Sequence, residues 1–352
     1  MTMSENKPKA LVIDNLHVDF AVQGGRVHAV RGVSLEVNRG ETLAIVGESG
    51  CGKSVTMMSV MGLTPSPPGR VISGSAKLNG QELLGLKTPQ LNRIRGADIG
   101  MIFQDPMSAL NPTMKVGEQI AETLMIHKAM GHREALQRAV ALLDRTKIPE
   151  AAKRAQQYPF EFSGGMLQRA MIAMSLACNP SVLIADEPTT ALDVTIQNQV
   201  LELMREIQRD EGMAIVLITH DLGVVARMAE QIAVMYAGQI VESGSVDDIF
   251  YRSAHPYTQG LKQAMPSLTM HAEDRLEAIA GSPPDLFSPP VGCGYCSRCP
   301  YAMNVCESMP PPVVDVAQDG SHNSRCWLQH PQSTRIIDDL YIPSVNREDA
   351  PC

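Results

Sequence analysis

An α/β fold built on a mostly parallel sheet is predicted by three observations. Short, wholly apolar runs at Thr42 to Val46, Val182 to Ala185 and Ala214 to Ile218 alternate with segments of helical period. The first run leads directly into the glycine-rich GESGCGKS, Gly47 to Ser54, and a helical stretch follows. After about Phe250 the texture changes, because 13 of the 24 prolines lie in the last 102 residues. The sheet is therefore expected within residues 1–250, and a loop-rich extension in need of a staple within 251–352.

The elements follow in order. Val12 to Phe20 and Val33 to Val37 alternate apolar and polar residues as half-buried strands do, with a Gly24-Gly25 turn between them. The buried run at Thr42 to Val46 comes next. A further short run, Met101 to Phe103, precedes QDP and opens a helix-rich stretch to about Pro159, so a helical subdomain is expected over about 105–180. Within it Leu167, Met171, Met174 and Cys178 form one stripe at spacings of three to four. Ile196 to Arg209 reads as a helix between the last two buried strands. Parallel strands are covered on both faces, which is why these runs show no polar alternation.

At 352 residues the chain has room for one large domain and a smaller appendage, and no second GxxxxGK occurs. The apolar share is 44%, and runs such as Ala214 to Ile218 are too short to cross a bilayer. The start, MTMSENKPKA, lacks the apolar centre of a signal peptide, so a cytoplasmic location is expected. A formal charge of −8 argues against a broad nucleic-acid surface. Cysteine is uneven: Cys51 and Cys178 precede residue 250, whereas Cys293, Cys296, Cys299, Cys306, Cys326 and Cys352 lie in the tail. In a chain of the reducing cytoplasm such clustering points to metal before disulfides.

Gly47, Gly50 and Gly52 allow a backbone turn tight enough to aim N–H groups at phosphates, with the following helix end pointing the same way. Lys53 is placed to reach the β- and γ-phosphates, and the Ser54 hydroxyl to ligate Mg²⁺. Glu48, Ser49, Cys51 and Val55 complete the stretch expected against nucleotide. Read alone, the motif is also compatible with a glycine-rich surface turn. Asp186 closes an apolar strand, where a carboxylate can hold Mg²⁺, and Glu187 beside it suits a general base toward water. Two acids at a strand end can also merely cap the next helix. His220, at the end of the last strand, could contact a γ-phosphate, although a lone histidine there is more often structural, and an isolated glutamine such as Gln104 usually just faces water.

The order of these residues carries more than any one of them. The phosphate loop, Gln104, Ser163-Gly164-Gly165, Asp186-Glu187, Asp193 and His220 resemble the ATP-binding-cassette ATPases over about residues 10 to 250. The resemblance implies a mostly parallel RecA-like sheet joined by an antiparallel β region and a helical subdomain. It also implies ATP as substrate, Mg²⁺ at Ser54, Gln104 and Asp186, and catalysis by Glu187 with Lys53, Gln104 and His220. Two cassettes are then expected head to tail, with Ser163, Gly164 and Gly165 contacting the γ-phosphate bound by the other copy. Asp193 would link the two sites, and Phe20 would stack on adenine. The signature reads FSGGM where the family favours a Leu start and a Gln end, and Cys51 lies inside the loop. Neither departure removes a group that the chemistry uses, so hydrolysis is expected.

In the tail, AHPYTQGL at Ala254 to Leu261, GCGYCSRCPYAMNVC at Gly292 to Cys306 and Cys326-Trp327 resemble the extension of dipeptide and oligopeptide importer subunits. FQDPMSALNP and ADEPTTALDVT are close to the same branch. Cys293-x2-Cys296-x2-Cys299-Pro300 by spacing opens a ferredoxin-type run whose fourth cysteine is too distant. The resemblance instead implies Cys293, Cys299, Cys306 and Cys326 as ligands of a 4Fe-4S cluster, with Cys296 spare and Cys352 unliganded. Zinc is the competing metal and free structural thiols the third reading.

The expected function is thus the ATPase subunit of a peptide importer, peripheral at the cytoplasmic side of the inner membrane. Its expected partners are a second and different cassette, two transmembrane permease subunits and, indirectly, a periplasmic or extracellular substrate-binding protein. Related cargoes are nickel, glutathione and antimicrobial peptides. The rivals of other classes are a soluble ABC ATPase outside transport and a redox-sensing module with a regulatory cassette. The first lacks its usual coiled-coil insertion or second cassette here, and an intact Glu187 argues against the second.

Overall fold

The structure is a computed structural model that describes residues 8–189, 192–264 and 279–333. The chain divides into two compact units, one of Met1–Ile240 with Asp285–Ser288 and one of Val241–Pro284 with Pro289–Cys352.

In the first unit β1 (Lys9–Val22) and β2 (Gly25–Asn38) form an antiparallel hairpin. Both strands extend beyond their expected limits because the hairpin ladder carries pairing past the apolar residues into polar ends. A register shift between Ile13 and Leu16 accommodates Asn15, whose φ is 46°. After β3 (Thr42–Val46) and α1 (Lys53–Val60), β4 (Gly69–Leu78) pairs with β1, and β5 (Gln81–Glu82) completes the sheet order β2-β1-β4-β5.

The chain continues through α2 (Thr88–Ile94) into β6 (Ile99–Ile102). This strand starts two residues before the expected run because it includes Gly100, which masks the apolar signal. A Cβ there would stand 2.6 Å from the Ser175 carbonyl oxygen, so the strand is glycine where another backbone approaches closely. The helical subdomain follows as α3 (Pro106–Ala109), α4 (Val116–Lys128), α5 (His132–Arg145), α6 (Ala151–Arg154) and α7 (Gly164–Ser175). Cys178 lies beyond the end of α7 although it is buried in the same cluster as Leu167.

Then come β7 (Val182–Asp186), α8 (Val194–Glu211), β8 (Ala214–Ile218), α9 (Leu222–Met228) and β9 (Gln231–Tyr236). The buried strands pair in parallel in the order β9-β3-β8-β7-β6. Their residues divide by parity. Ile45, Val182, Ile184, Val216 and Ile218 face a core shared with β1, β2 and α1. Leu183, Ala185, Ile215 and Leu217 face a second core with Met171 and Ile172 of α7 and with Val200, Leu203, Met204 and Ile207 of α8. Each buried aliphatic side chain contributes about 1.5–3 kcal/mol. Helix α7 also buries Leu167, Ala170 and Ala173 in the helical cluster. It is apolar on two sides because it serves two cores, and its N-terminus is thereby fixed.

The second unit has little regular structure. β10 (Gln239–Ser245) contains the boundary, and α10 (Val246–Tyr251), α11 (Pro256–Gln263), α12 (Asn304–Ser308), β11 (Val314–Asp315) and β12 (Asn323–Ser324) follow. This unit buries apolar side chains such as Ile249 and Tyr257 and, in addition, a polar network. The Glu242 carboxylate, 1% exposed, accepts from the Ala254 amide at 2.6 Å, the His255 amide at 3.1 Å and His322 Nε2 at 2.8 Å. Buried hydrogen bonds of this kind help to specify one arrangement of the loops. Among the described residues, no helix is long and apolar enough to cross a membrane.

Candidate functional site

The turn between β3 and α1 is glycine by necessity. Gly52 has φ 106°, and a Cβ on it would stand 2.5 Å from the Ala29 carbonyl oxygen and 2.8 Å from the Met235 methyl. No side chain caps the N-terminus of α1, so the first amides of this helix are not satisfied by a neighbouring side chain. Lys53, only 6% exposed, donates to the carbonyl oxygens of Gly47 at 2.8 Å and Glu48 at 3.0 Å, with Cys51 Sγ at 3.8 Å. Ser49 and Gly50 are exposed, and Ser54 and Val55 are half-buried.

Two hydrogen-bonded groups stand at the ends of β7, β8 and β3. The Ser54 hydroxyl donates to Asp186 at 2.9 Å. Burial pushes the Asp186 carboxyl above the usual carboxylate range, with the Ser54 hydrogen bond opposing, the neighbouring Glu187 adding to the rise and Lys53 offsetting it. Glu187 itself has φ 48°, uncommon outside glycine, and its amide donates to the Ile218 carbonyl at 2.8 Å. Its two carboxylate oxygens are both taken: Gln104 Nε2 donates to Oε2 at 2.8 Å and His220 Nδ1 donates to Oε1 at 3.2 Å. Residues at 104, 187 and 220 are thus brought to one point. The alternative that the acidic pair merely caps a helix does not apply, since Asp193 caps α8 by accepting from the Thr195 and Ile196 amides, both at 3.0 Å.

The remaining candidates lie as follows. Ser163 is the N-cap of α7 and accepts from the Met166 amide at 3.4 Å. Ser163 and Gly164 are exposed, and a Cβ on Gly165 would press to 3.0 Å against Ile196. Phe20 is half-buried on β1 opposite Val27 and Gly69, where glycine leaves room for the ring. The sequence reading missed one contribution to this hairpin: the Leu286 carbonyl accepts from the His28 amide at 2.9 Å, so a four-residue piece from late in the chain joins the first unit.

In the second unit Cys293, Cys296, Cys299, Cys306 and Cys326 line one cavity together with His255, Tyr295, Tyr301 and Trp327. Cys296, expected as a spare, belongs to the same lining as the four expected ligands. The loop closes tightly, because the Cys293 amide donates to the Cys306 carbonyl at 2.7 Å and a Cβ on Gly292 would stand 2.1 Å from that oxygen. Burial pushes the Cys293 thiol up to about 11 and the Cys326 thiol up to about 12. As they stand, no three His, Cys, Asp or Glu side chains among the described residues are arranged to hold a metal ion. The expected 4Fe-4S cluster thus finds no metal-binding group among the described residues, although its expected ligands line one cavity. Cys352 lies outside the described residues.

His255 belongs to the octapeptide AHPYTQGL, which carries no signal of its own for the residue's surroundings. It is 1% exposed, and its Nδ1 accepts from the Tyr257 amide at 3.0 Å as the N-cap of α11. Burial lowers its pKa to about 4, against a hydrogen bond with the Arg325 main chain that raises it.

A parallel sheet with a phosphate loop after one strand, an acidic pair after a second and a histidine after a third defines an ATP-binding cassette. Residues 30–190 match the family described as ABC transporter, and residues 241–306 match the C-terminal region of oligopeptide/dipeptide transporters. The chain is 51% identical over 329 residues to the dipeptide transport ATP-binding protein DppD of Bacillus subtilis, covering 94% of this chain and 97% of that one. It is 50% identical over 318 residues to the oligopeptide transport ATP-binding protein OppD of Salmonella typhimurium, covering 88% and 94%. Among solved structures, the dimeric post-hydrolysis ATP-binding cassette MJ0796 bound to ADP and Pi superposes with a TM-score of 0.61 at 27% identity, covering 67% of this chain and 98% of that one. The chain belongs to the ABC transporter ATP-binding proteins, in the dipeptide/oligopeptide transporter family. It is an ABC-type ATPase.

Proposed function

We propose that this chain is the ATP-hydrolysing subunit of an importer for dipeptides or oligopeptides, acting at the cytoplasmic face of the membrane. The observation that carries the catalytic part is the doubly held Glu187, whose carboxylate is fixed by Gln104 and His220. A base positioned before substrate arrives spends no further ordering on the attacking water. Lys53 exchanges its carbonyl partners for the β- and γ-phosphates. Ser54, Asp186 and Gln104 would hold Mg²⁺, which neutralises phosphate charge when bound. Ser163, Gly164 and Gly165 meet the γ-phosphate of a second cassette, a reading supported by the exposed start of a well-anchored α7. Asp193 and the half-buried Phe20 take the interface and adenine roles.

The partners in this reading are a second, different cassette, two permease subunits and an external substrate-binding protein. The tail match and the names of the relatives support peptide cargo. The test is uptake of labelled di- and oligopeptides by a deletion strain: the intact chain restores uptake, and restoration of nickel or glutathione uptake without peptide uptake defeats the cargo reading.

The same proposal includes a metal in the second unit, held by Cys293, Cys299, Cys306 and Cys326. The thiol-lined cavity fits such a group chemically, since thiolates are the ligands of iron–sulfur clusters and of structural zinc. A bound cluster would supply the cross-link that a unit of two-residue strands and short helices lacks. Anaerobically purified protein is expected to absorb broadly near 400 nm, whereas a colourless protein with one equivalent of zinc replaces the cluster with the competing metal.

A further inference from the structure

We infer that Phe287 is a second nucleobase-contacting residue, its ring flanking the adenine that stacks on Phe20. The inference rests on the reading above that ATP binds with its base on Phe20, and it gives the late four-residue piece of the first unit a part in nucleotide recognition. Three observations lead to it. Strand β2 is the edge of its sheet, in the order β2-β1-β4-β5, and its His28 amide donates to the Leu286 carbonyl at 2.9 Å. The Asp285 carboxylate accepts from the Phe287 amide at 2.8 Å and fixes the turn that presents the aromatic side chain. The Phe287 ring then lies against Gly25, where a Cβ would stand 2.6 Å from Cζ and 2.7 Å from Cε2.

Hairpin pairing decides which face this ring occupies. Phe20 with Val27, Ala21 with Arg26 and Val22 with Gly25 follow one another without a register shift, so the first and third pairs point to the same face. An atom as close to the Cβ position of Gly25 as Phe287 Cζ cannot stand on the other face. Phe287 is therefore on the face that carries the Phe20 side chain, one same-face pair nearer the turn. Such pairs are about 7 Å apart, from a rise of about 3.4 Å per residue. A base seated on Phe20 accordingly meets Phe287 at its edge.

Both rings keep surface for a ligand. Phe20 is half-buried, and Phe287 remains 39% exposed, as does Val22 of the same face at 42%. An aromatic base covers this apolar area and suits an aromatic neighbour in offset or edge-to-face contact. Glycine at position 25 is what lets the ring approach, since any β-carbon there would collide with it.

The test uses the full-length chain and two probes, ATP and tripolyphosphate, the second of which offers phosphates without a base. Phe287→Ala is expected to raise the ATP dissociation constant about three- to tenfold, the range of one aromatic contact, and to leave tripolyphosphate binding within about twofold. Phe287→Tyr keeps the ring and is expected to bind both probes like the parent. Parental ATP binding in Phe287→Ala, or equal losses for ATP and tripolyphosphate, overturns the inference and leaves Phe287 as packing on the hairpin turn. Should Phe287→Ala not fold, Gly25→Ala decides, because its methyl drives the ring off the hairpin while Phe287 stays in the chain. A loss confined to ATP then supports the contact, and parental ATP binding rejects it. Phe20→Ala is titrated beside these variants. If it binds ATP like the parent, the base does not lie on Phe20 and the underlying reading fails, which is a different result from a Phe20-dependent site indifferent to Phe287.

Discussion

Replacing Glu187 by Gln is expected to slow ATP turnover on the order of 10²- to 10⁴-fold while leaving ATP affinity within a few-fold. The geometry makes this substitution unusually clean. Gln104 Nε2 can still donate to the new amide oxygen at the position of Oε2, and the amide nitrogen can donate to His220 Nδ1 once the ring adopts its other tautomer. Shape and hydrogen bonds are retained, so what is lost is the carboxylate's ability to take a proton from water. Phosphate release measured against binding of a fluorescent ATP analogue separates the two quantities. Turnover equal to that of the parent means that Glu187 is not the base, and the hydrolytic mechanism proposed here fails. A large loss of affinity means instead that the residue anchors nucleotide.

The second large effect concerns the phosphate loop itself. Gly52→Ala is expected to weaken ATP binding by more than tenfold and to destabilise the protein by about 1–3 kcal/mol, from combined backbone strain and overpacking. The Met235 methyl can swing away from the added carbon, but the Ala29 carbonyl, 2.5 Å distant, belongs to a paired strand and cannot. Gly50 provides the control. Its φ is 77°, yet no heavy atom lies within 4 Å of an added Cβ, so Gly50→Ala carries only the cost of a left-handed residue, about 1–2 kcal/mol. Titration of ATP and thermal unfolding of the two variants side by side test this order. Equal effects would show that conformation alone, and not the close approach of β2, makes Gly52 glycine.

Much of the cassette can be read without coordinates because its signals are local. Thr42 to Val46 and Ala214 to Ile218 match β3 and β8 in both limits, since strands covered on both faces are continuous apolar runs bounded by polar turns. Signals failed where a contact from elsewhere chose the residue. Gly100 lies inside β6 because of the Ser175 carbonyl, and the stripe through Cys178 outran α7 because burial continues past the helix end. His255 has no motif by which its complete burial could have been recognised.

From the order of amino acids alone came the alternation of strands and helices, the glycine loop with Lys53 and Ser54, the acidic pair, and the clustering of thiols in a proline-rich tail. Each of these is a matter of neighbours within a few residues, where periodicity and turn chemistry act. Folding in three dimensions decided that Gln104 and His220 grip opposite oxygens of Glu187, that Ser54 meets Asp186, and that five cysteines and one histidine wall a single cavity. Those meetings join positions up to 132 residues apart. They depend on strand order and helix packing, which distribute distant side chains to a common edge and which no local pattern encodes.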